Sequence, residues 1–471
     1  MSLHLVILAA YSLGLMALGL WIGRRLRGAA DFFVASRQLG PGLIFSTMLA
    51  ANIGAGSTVG ATSEAYQHGL AAWWWVGSAG VGCTVLALWV GPAMRRIAAE
   101  QGLRTVGDYL EFRYNGSVRG IIAALLWIGS LFILASQLIG LGWILNVVTG
   151  MPKAIGCAIG GLVVVVYFTA GGLLTSAWVN VVQLAVKLAG FAVALPLAFA
   201  WIGGWPPVRE AVAETPPYAG FLSATSVKYF ALLAPSFVVS PGLLQKVFGA
   251  RDDRAVRAGV GLNALALFLF AGAPVLLGVI ARGGFPNLPA PNLALPTVFT
   301  EALPPLAGAI ALAAVFSAEV SAADAVMLML TTSVSQDLYK RFLNARATDD
   351  QVLHVARVAT VVAGLLGIAL ALSSEDLVQT LTIFYALLGV SLFVPIVAGL
   401  YVRRSTSAGA VTAIVAGVAG MMTVQLLTGG AGYGVLTPAP AGLIAAAAAW
   451  AIVTLVNPAE AGSHNVPGSH F

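Results

Sequence analysis

A chain of 471 residues that is 59% hydrophobic and only 9% charged is too apolar for a soluble domain with one anchor, and it reads as a polytopic membrane protein. Its two cysteines, Cys83 and Cys157, lie in apolar stretches and suggest neither a disulfide framework nor a metal cluster. The net charge of +6 would suit a nucleic-acid partner, but the distribution of the basic residues excludes that reading. Apolar runs bounded by Gly, Pro and charge predict about 13 spans, at 3–23, 41–66, 70–94, 118–148, 153–169, 174–203, 225–246, 255–281, 299–335, 352–373, 377–402, 408–428 and 438–456. Leu3 to Trp21 is followed, not preceded, by Arg24, Arg25 and Arg27, so it reads as a membrane helix and not as a cleavable signal. Most of the 24 Lys and Arg then fall on one side, from Arg37 through Arg95, Arg119, Lys246, Arg251 and Arg341 to Arg404. Lys153, Arg209, Lys228 and Arg282 fall on the other, and Lys187 lies within a span. The positive-inside rule puts the N-terminus outside and the C-terminus inside a cytoplasmic (inner) membrane.

Residues 1–40 supply an extra helix and a cytoplasmic lead-in. The stretch Ser46 to Gly69 is long and apolar enough to span, yet its middle, Asn52-Ile53-Gly54-Ala55-Gly56-Ser57-Thr58, is poor helix material. Backbone freed in hydrocarbon costs several kcal/mol, so a break belongs where it lines a cavity or holds a ligand. Close helix packing through small residues is the plain alternative. Trp73-Trp74-Trp75 reads as an interfacial belt more readily than as a solute platform. Gln137 is a helix amide suited either to solute or to a neighbouring helix.

The span 225–246 is also interrupted, by Pro235-Ser236 and by Ser240-Pro241-Gly242. Two broken helices at matching places in two halves point to an inverted-repeat transporter, with repeats at 41–203 and 225–402. Two extra helices follow at 403–456, then a tail, 457–471, expected to be disordered and cytoplasmic. Of the five His, His4 and His68 fall near outer ends, His354 near an inner end, and His464 and His470 in the tail, which argues against a histidine proton relay.

Several segments resemble the sodium:solute symporter family. They are Asp31-Phe32-Phe33-Val34-Ala35-Ser36-Arg37, Ala50-Ala51-Asn52-Ile53 with its Gly/Ser-rich break, Gly171-Gly172 with Gln183, and Gln245 to Asp252. Ser321-Ala322-Ala323-Asp324, Asp337-Leu338-Tyr339-Lys340-Arg341 and Gly399-Leu400-Tyr401 complete the set. The resemblance implies an all-α, leucine-transporter-like core of five-plus-five inverted repeats. It also implies a sodium ion held by the carbonyls of Ala50, Ile53 and Ala318 and the hydroxyl of Ser321. A hard cation wants such oxygens. The chain departs from the family pattern at Ala322, where a second hydroxyl is usual, at Asn180, where Asp is usual, and at Ser236, near a gating Tyr of sugar carriers.

Two charges lie within spans, Lys187 and Glu319. Asn180, Gln183 and Lys187 share one helix face, with Lys187 about 10 Å outward of Asn180. Glu319 follows Ala318 directly, and Asp324 lies about 7 Å further in, as a cap or exit-path group. An unpaired charge at membrane depth is costly, so a Lys187–Glu319 pair is expected. Three readings stay open: a structural pair, Glu319 as a sodium ligand, or Lys187 in the cation position with sodium-independent or proton-coupled transport.

These observations predict a carrier that moves a small polar organic solute inward, with sodium or a proton as coupling ion and no other cofactor. The solute would lie among Ala51, Asn52, Ser57, Gln137, Ser236 and Ser240. No obligatory protein partner is evident. A sensory module lacks an appended domain here, and a membrane enzyme lacks a nucleophile or metal constellation at depth. A carboxylate or amino acid is favoured over a sugar, on the ground that Lys187 could pair with it.

Overall fold

The computed structural model describes residues 3–23, 37–169, 172–213, 220–374 and 376–456. The lead-in Asp31 to Ser36, Gly171 and the tail 457–471 lie outside these. Among the described residues the chain is helical, with two isolated β-bridges. In chain order the main helices are α1 (Leu3–Gly23), α2 (Pro41–Asn52), α3 (Ala61–His68), α4 (Trp73–Val85), α5 (Gly91–Glu100), α6 (Val106–Arg113), α7 (Gly116–Thr149), α8 (Lys153–Thr169), α9 (Gly172–Trp201) and α10 (Trp205–Ala213). There follow α11 (Ala224–Val238), α12 (Pro241–Phe248), α13 (Asp253–Phe270), α14 (Gly272–Gly284), α15 (Pro305–Thr332), α16 (Asp349–Ser373), α17 (Leu377–Tyr401), α18 (Ser407–Thr428) and α19 (Pro438–Val456).

Ten helical stretches among the described residues are long and apolar enough to cross a membrane, and Leu3–Leu15 and Lys153–Val166 are shorter apolar helices. One of the ten, Gly56–Glu100, has 45 residues, enough to cross twice. It is divided at Gly69, whose φ of 65° ends α3 in a conformation that a side chain would strain. The helix expected over 299–335 begins later: Leu303 is extended, and Pro304 and Pro305 start α15.

Both breaks form where the residues predict them. After α2, Ile53 leaves helical space, and the chain re-enters through a π-helical turn, Gly56–Gly60, before α3. Between α11 and α12 the chain opens at Val239 and Ser240, and Pro241, which has no N–H to lose, starts the second half. Pro235 lies inside α11 and not at the break. The two broken helices are tied on one side. Leu39 N–H donates to Gly249 O at 3.0 Å, and Arg251 N–H donates to Leu39 O at 3.1 Å. Helix α2 packs against α9, α13 and α15; α7 packs against α15 and α17; α4 runs along α11.

A charge cluster joins α6 and α7 to the π-helical stretch Ser333–Leu343 that continues α15. Arg119 reaches Asp337 at 2.8 Å, Asp108 at 2.7 Å and Glu111 at 2.9 Å, and Arg341 reaches Glu111 at 2.5 Å. Thr105 donates to Asp337 at 2.6 Å. Burial would raise the Glu111 carboxyl, but the Arg341 and Arg119 guanidiniums outweigh it and hold it below its ordinary range. Asp337 is only 4% exposed, so removing its cation leaves a buried carboxylate. Arg119→Ala is expected to cost about 3–5 kcal/mol, read as a lower thermal midpoint in detergent. Adding Asp337→Asn is expected to recover part of that loss. An unchanged midpoint for the single variant would show that the cluster is solvated.

Candidate functional site: a cavity between two broken helices

The first break satisfies its backbone from three directions. Ser57 and Thr58 hydroxyls donate to Asn52 O and Gly54 O, at 2.8 and 2.9 Å, and Gly54 N–H donates to Ser57 Oγ at 3.0 Å. From α7, Gln137 Oε1 accepts the Ala55 N–H at 2.8 Å. From α4, Trp75 Nε1 donates to Gly56 O at 2.8 Å. Trp75 is therefore a buried support of the break, not part of an interfacial belt. Its ring also meets Tyr229 edge-on at 5.3 Å.

From α9, Lys187 donates to Ala50 O at 2.5 Å and to Ile53 O at 3.0 Å, and it also donates to Ser321 Oγ. These are three of the four oxygens that the resemblance assigns to sodium. The fourth, Ala318 O, accepts from the Ser321 hydroxyl at 3.1 Å. An ammonium has three N–H groups, and all three are used here. The expected Lys187–Glu319 ion pair is therefore not formed. Glu319 Oε1 instead accepts from Thr58 at 3.1 Å, while Oε2 has no hydrogen-bond partner among the described residues. The two charges still act on each other through space. Charge-pairing logic failed here because the competing acceptors are main-chain carbonyls at a helix end, which no side chain announces.

On the same face of α9, Asn180 donates to Thr47 Oγ1 at 3.2 Å. Gln183 is fully buried, and its amide makes no hydrogen bond among the described residues. Asp324, 2% exposed, acts through space on Lys246.

A cavity of about 70 Å³ opens between the two breaks. Ala51, Asn52, Ser57, Gln137 and Ser240 line it, as does Ala322. Ser236 does not: it is fully buried and donates to Leu232 O and Tyr385 O, each at 2.7 Å. The aromatic wall comes from Trp75, Phe237, Phe384 and Tyr385, of which the sequence reading weighs only Trp75. Asn52 is partly engaged, with Nδ2 3.2 Å from Asn263 Oδ1.

Lys246 also lines the cavity. The sequence reading counts it among cytoplasmic basic flanks. It is 2% exposed, and its ammonium makes no hydrogen bond among the described residues. Its place inside α12, with five residues between it and Asp252, was the only signal available, and it is a weak one.

A model of the sodium:solute symporter family matches residues 32–417. The chain belongs to that family. It is 24% identical to the sodium/glucose cotransporter of Vibrio parahaemolyticus, over 88% of this chain and 84% of that one. It is 26% identical to the sodium/pantothenate symporter of Escherichia coli K12, over 82% of each. Its fold matches a Na+-coupled sialic acid symporter solved in a substrate-bound outward-open state, with a TM-score of 0.82, 16% identity, and 98% and 99% of the two chains covered. A nucleobase-cation-symport-1 family transporter matches with a TM-score of 0.64. The chain is thus a multi-pass secondary transporter of leucine-transporter-like fold, and not an enzyme. Sodium is the coupling ion that family membership supports.

Proposed function

We propose that this symporter carries a small organic acid, or another solute with a carboxylate, through the cavity between its two broken helices. The observation that carries this reading is Lys246: a buried ammonium with no hydrogen-bond acceptor among the described residues, in a cavity with aromatic walls. A charge left in such a place is expensive unless a ligand completes it. The carboxylate lean once drawn from Lys187 loses its ground, since that side chain is already spent; Lys246 supplies a better one. Asn52, Ser57 and Ser240 are offered as hydroxyl and amide partners for the rest of the solute.

Residues 41–203 and 225–402 are proposed as the two repeats that rock against each other, with the N-terminus outside an inner membrane. Alternating access requires the solute and the coupling ion to favour one state over the other. The test is uptake by reconstituted liposomes, with radiolabelled monocarboxylates, amino acids and neutral sugars compared. Saturable uptake of an acidic solute, inhibited by other carboxylates and not by sugars, is expected. Saturable uptake of a neutral sugar that carboxylates leave untouched would overturn the carboxylate reading.

A further inference from the structure

We infer that the Lys187 ammonium is a tethered cation that fills the position assigned to sodium, so that sodium does not bind at the junction of α2, α9 and α15. The junction is built for a positive charge. The last carbonyls of α2 have no helical partners, and the C-terminal end of a helix carries partial negative charge. Ala50 O and Ile53 O are such carbonyls, and both point at Nζ. The Ser321 hydroxyl shares its proton between Ala50 O, at 2.8 Å, and Ala318 O, at 3.1 Å, which leaves its lone pairs toward the ammonium.

A sodium ion would need these same oxygens at comparable distances, and two positive charges cannot share them in a buried interior. Lys187 is fully buried, and it has no donor left over. The chain's departures fit this exchange. The resemblance gives sodium four oxygens here and a second hydroxyl at the position of Ala322, whereas an ammonium takes three. Ala322 removes one hydroxyl from the junction, and its methyl instead meets Gly54 of the break. The side chain comes from α9, which Asn180 also fastens to α2 through Thr47. Glu319, one residue after Ala318 on α15, acts on that charge through space. A tethered cation cannot be exchanged with either compartment. It holds the break to α15 whatever the sodium concentration, so any sodium that drives transport acts elsewhere.

The inference is independent of the solute and of Lys246. The experiment is the thermal midpoint of the purified full-length protein in sodium chloride and in potassium chloride, for wild type and Lys187→Met. The sodium-minus-potassium difference is expected to be larger in the variant, by about 2 °C or more, because removing the tether frees the oxygens for the ion. A difference equal to or smaller than that of wild type would overturn the inference. Should Lys187→Met not fold, Ser321→Ala decides. If Lys187 fills the junction, the sodium-minus-potassium difference of Ser321→Ala equals that of wild type. If sodium binds there, wild type shows a sodium-specific rise that Ser321→Ala abolishes.

Discussion

Replacing Lys246 with glutamine is expected to weaken uptake of an acidic solute by about a hundredfold while leaving the fold as stable or more stable. The two signs are opposite for one reason. In the unloaded protein the ammonium is buried without a hydrogen-bond acceptor among the described residues, and Asp324 acts on it through space. Glutamine, of similar length and without charge, lowers the penalty of that burial, because an unpaired buried amide costs less than an unpaired buried charge. With solute bound, the same ammonium completes a buried charge pair, and truncating one partner of such a pair costs about 2–5 kcal/mol. At 1.4 kcal/mol per factor of ten, the midpoint of that range gives more than a hundredfold. Sites of this kind trade stability for binding. Uptake kinetics and a thermal midpoint on the same preparation test both halves. A lowered midpoint with unchanged KM would mean that Lys246 is a structural cation, and the carboxylate reading would fall with it.

How far the site was legible depends on which groups do the binding. The breaks at Asn52–Gly56 and Val239–Pro241 were legible because Gly, Ser, Asn and Pro fail as helix formers inside apolar runs. The shared face of Asn180 and Lys187 was legible from helical spacing, and both side chains do reach α2. What Lys187 touches was legible only as one of three open readings, the one that puts it in the cation position implied by the resemblance. Its partners are carbonyls of Ala50 and Ile53, and every residue has a carbonyl; only the local unwinding makes those two available. Glu319 looked like the partner because a side-chain charge can be seen in a sequence, whereas the carbonyls that a break turns toward a given side chain cannot. Lys246 was misread for a related reason. Near the end of a span, a lysine that snorkels to the interface and one that faces a cavity have the same sequence context. Trp75 looked like its two neighbours, but its indole N–H turns inward to Gly56 O.

Gly54→Ala is expected to damage both folding and transport, by about 2–6 kcal/mol. Glycine here is required by space, not by a positive φ. A Cβ at this position would lie 2.3 Å from the Ala322 Cβ of α15 and 2.7 Å from the Gln137 Oε1 of α7. Neither contact can be met without movement. Ala322 has no rotamer to change, so α15 and the break must separate, and overpacking of this kind costs about 1–3 kcal/mol. Gln137 could rotate away, but its Oε1 accepts the Ala55 N–H, and losing it strands a buried donor at a further 1–3 kcal/mol. The separation would also draw Ala50 and Ile53 from Lys187, since Ser321 lies next to Ala322 on α15. Ala322→Gly in the same chain removes the first clash and leaves the second, so the double variant is expected to regain roughly half of the loss. Thermal midpoints of the two singles and the double measure this coupling. Additive effects would mean that Gly54 and Ala322 do not meet, and that the break stands further from α15 than the contact between them requires.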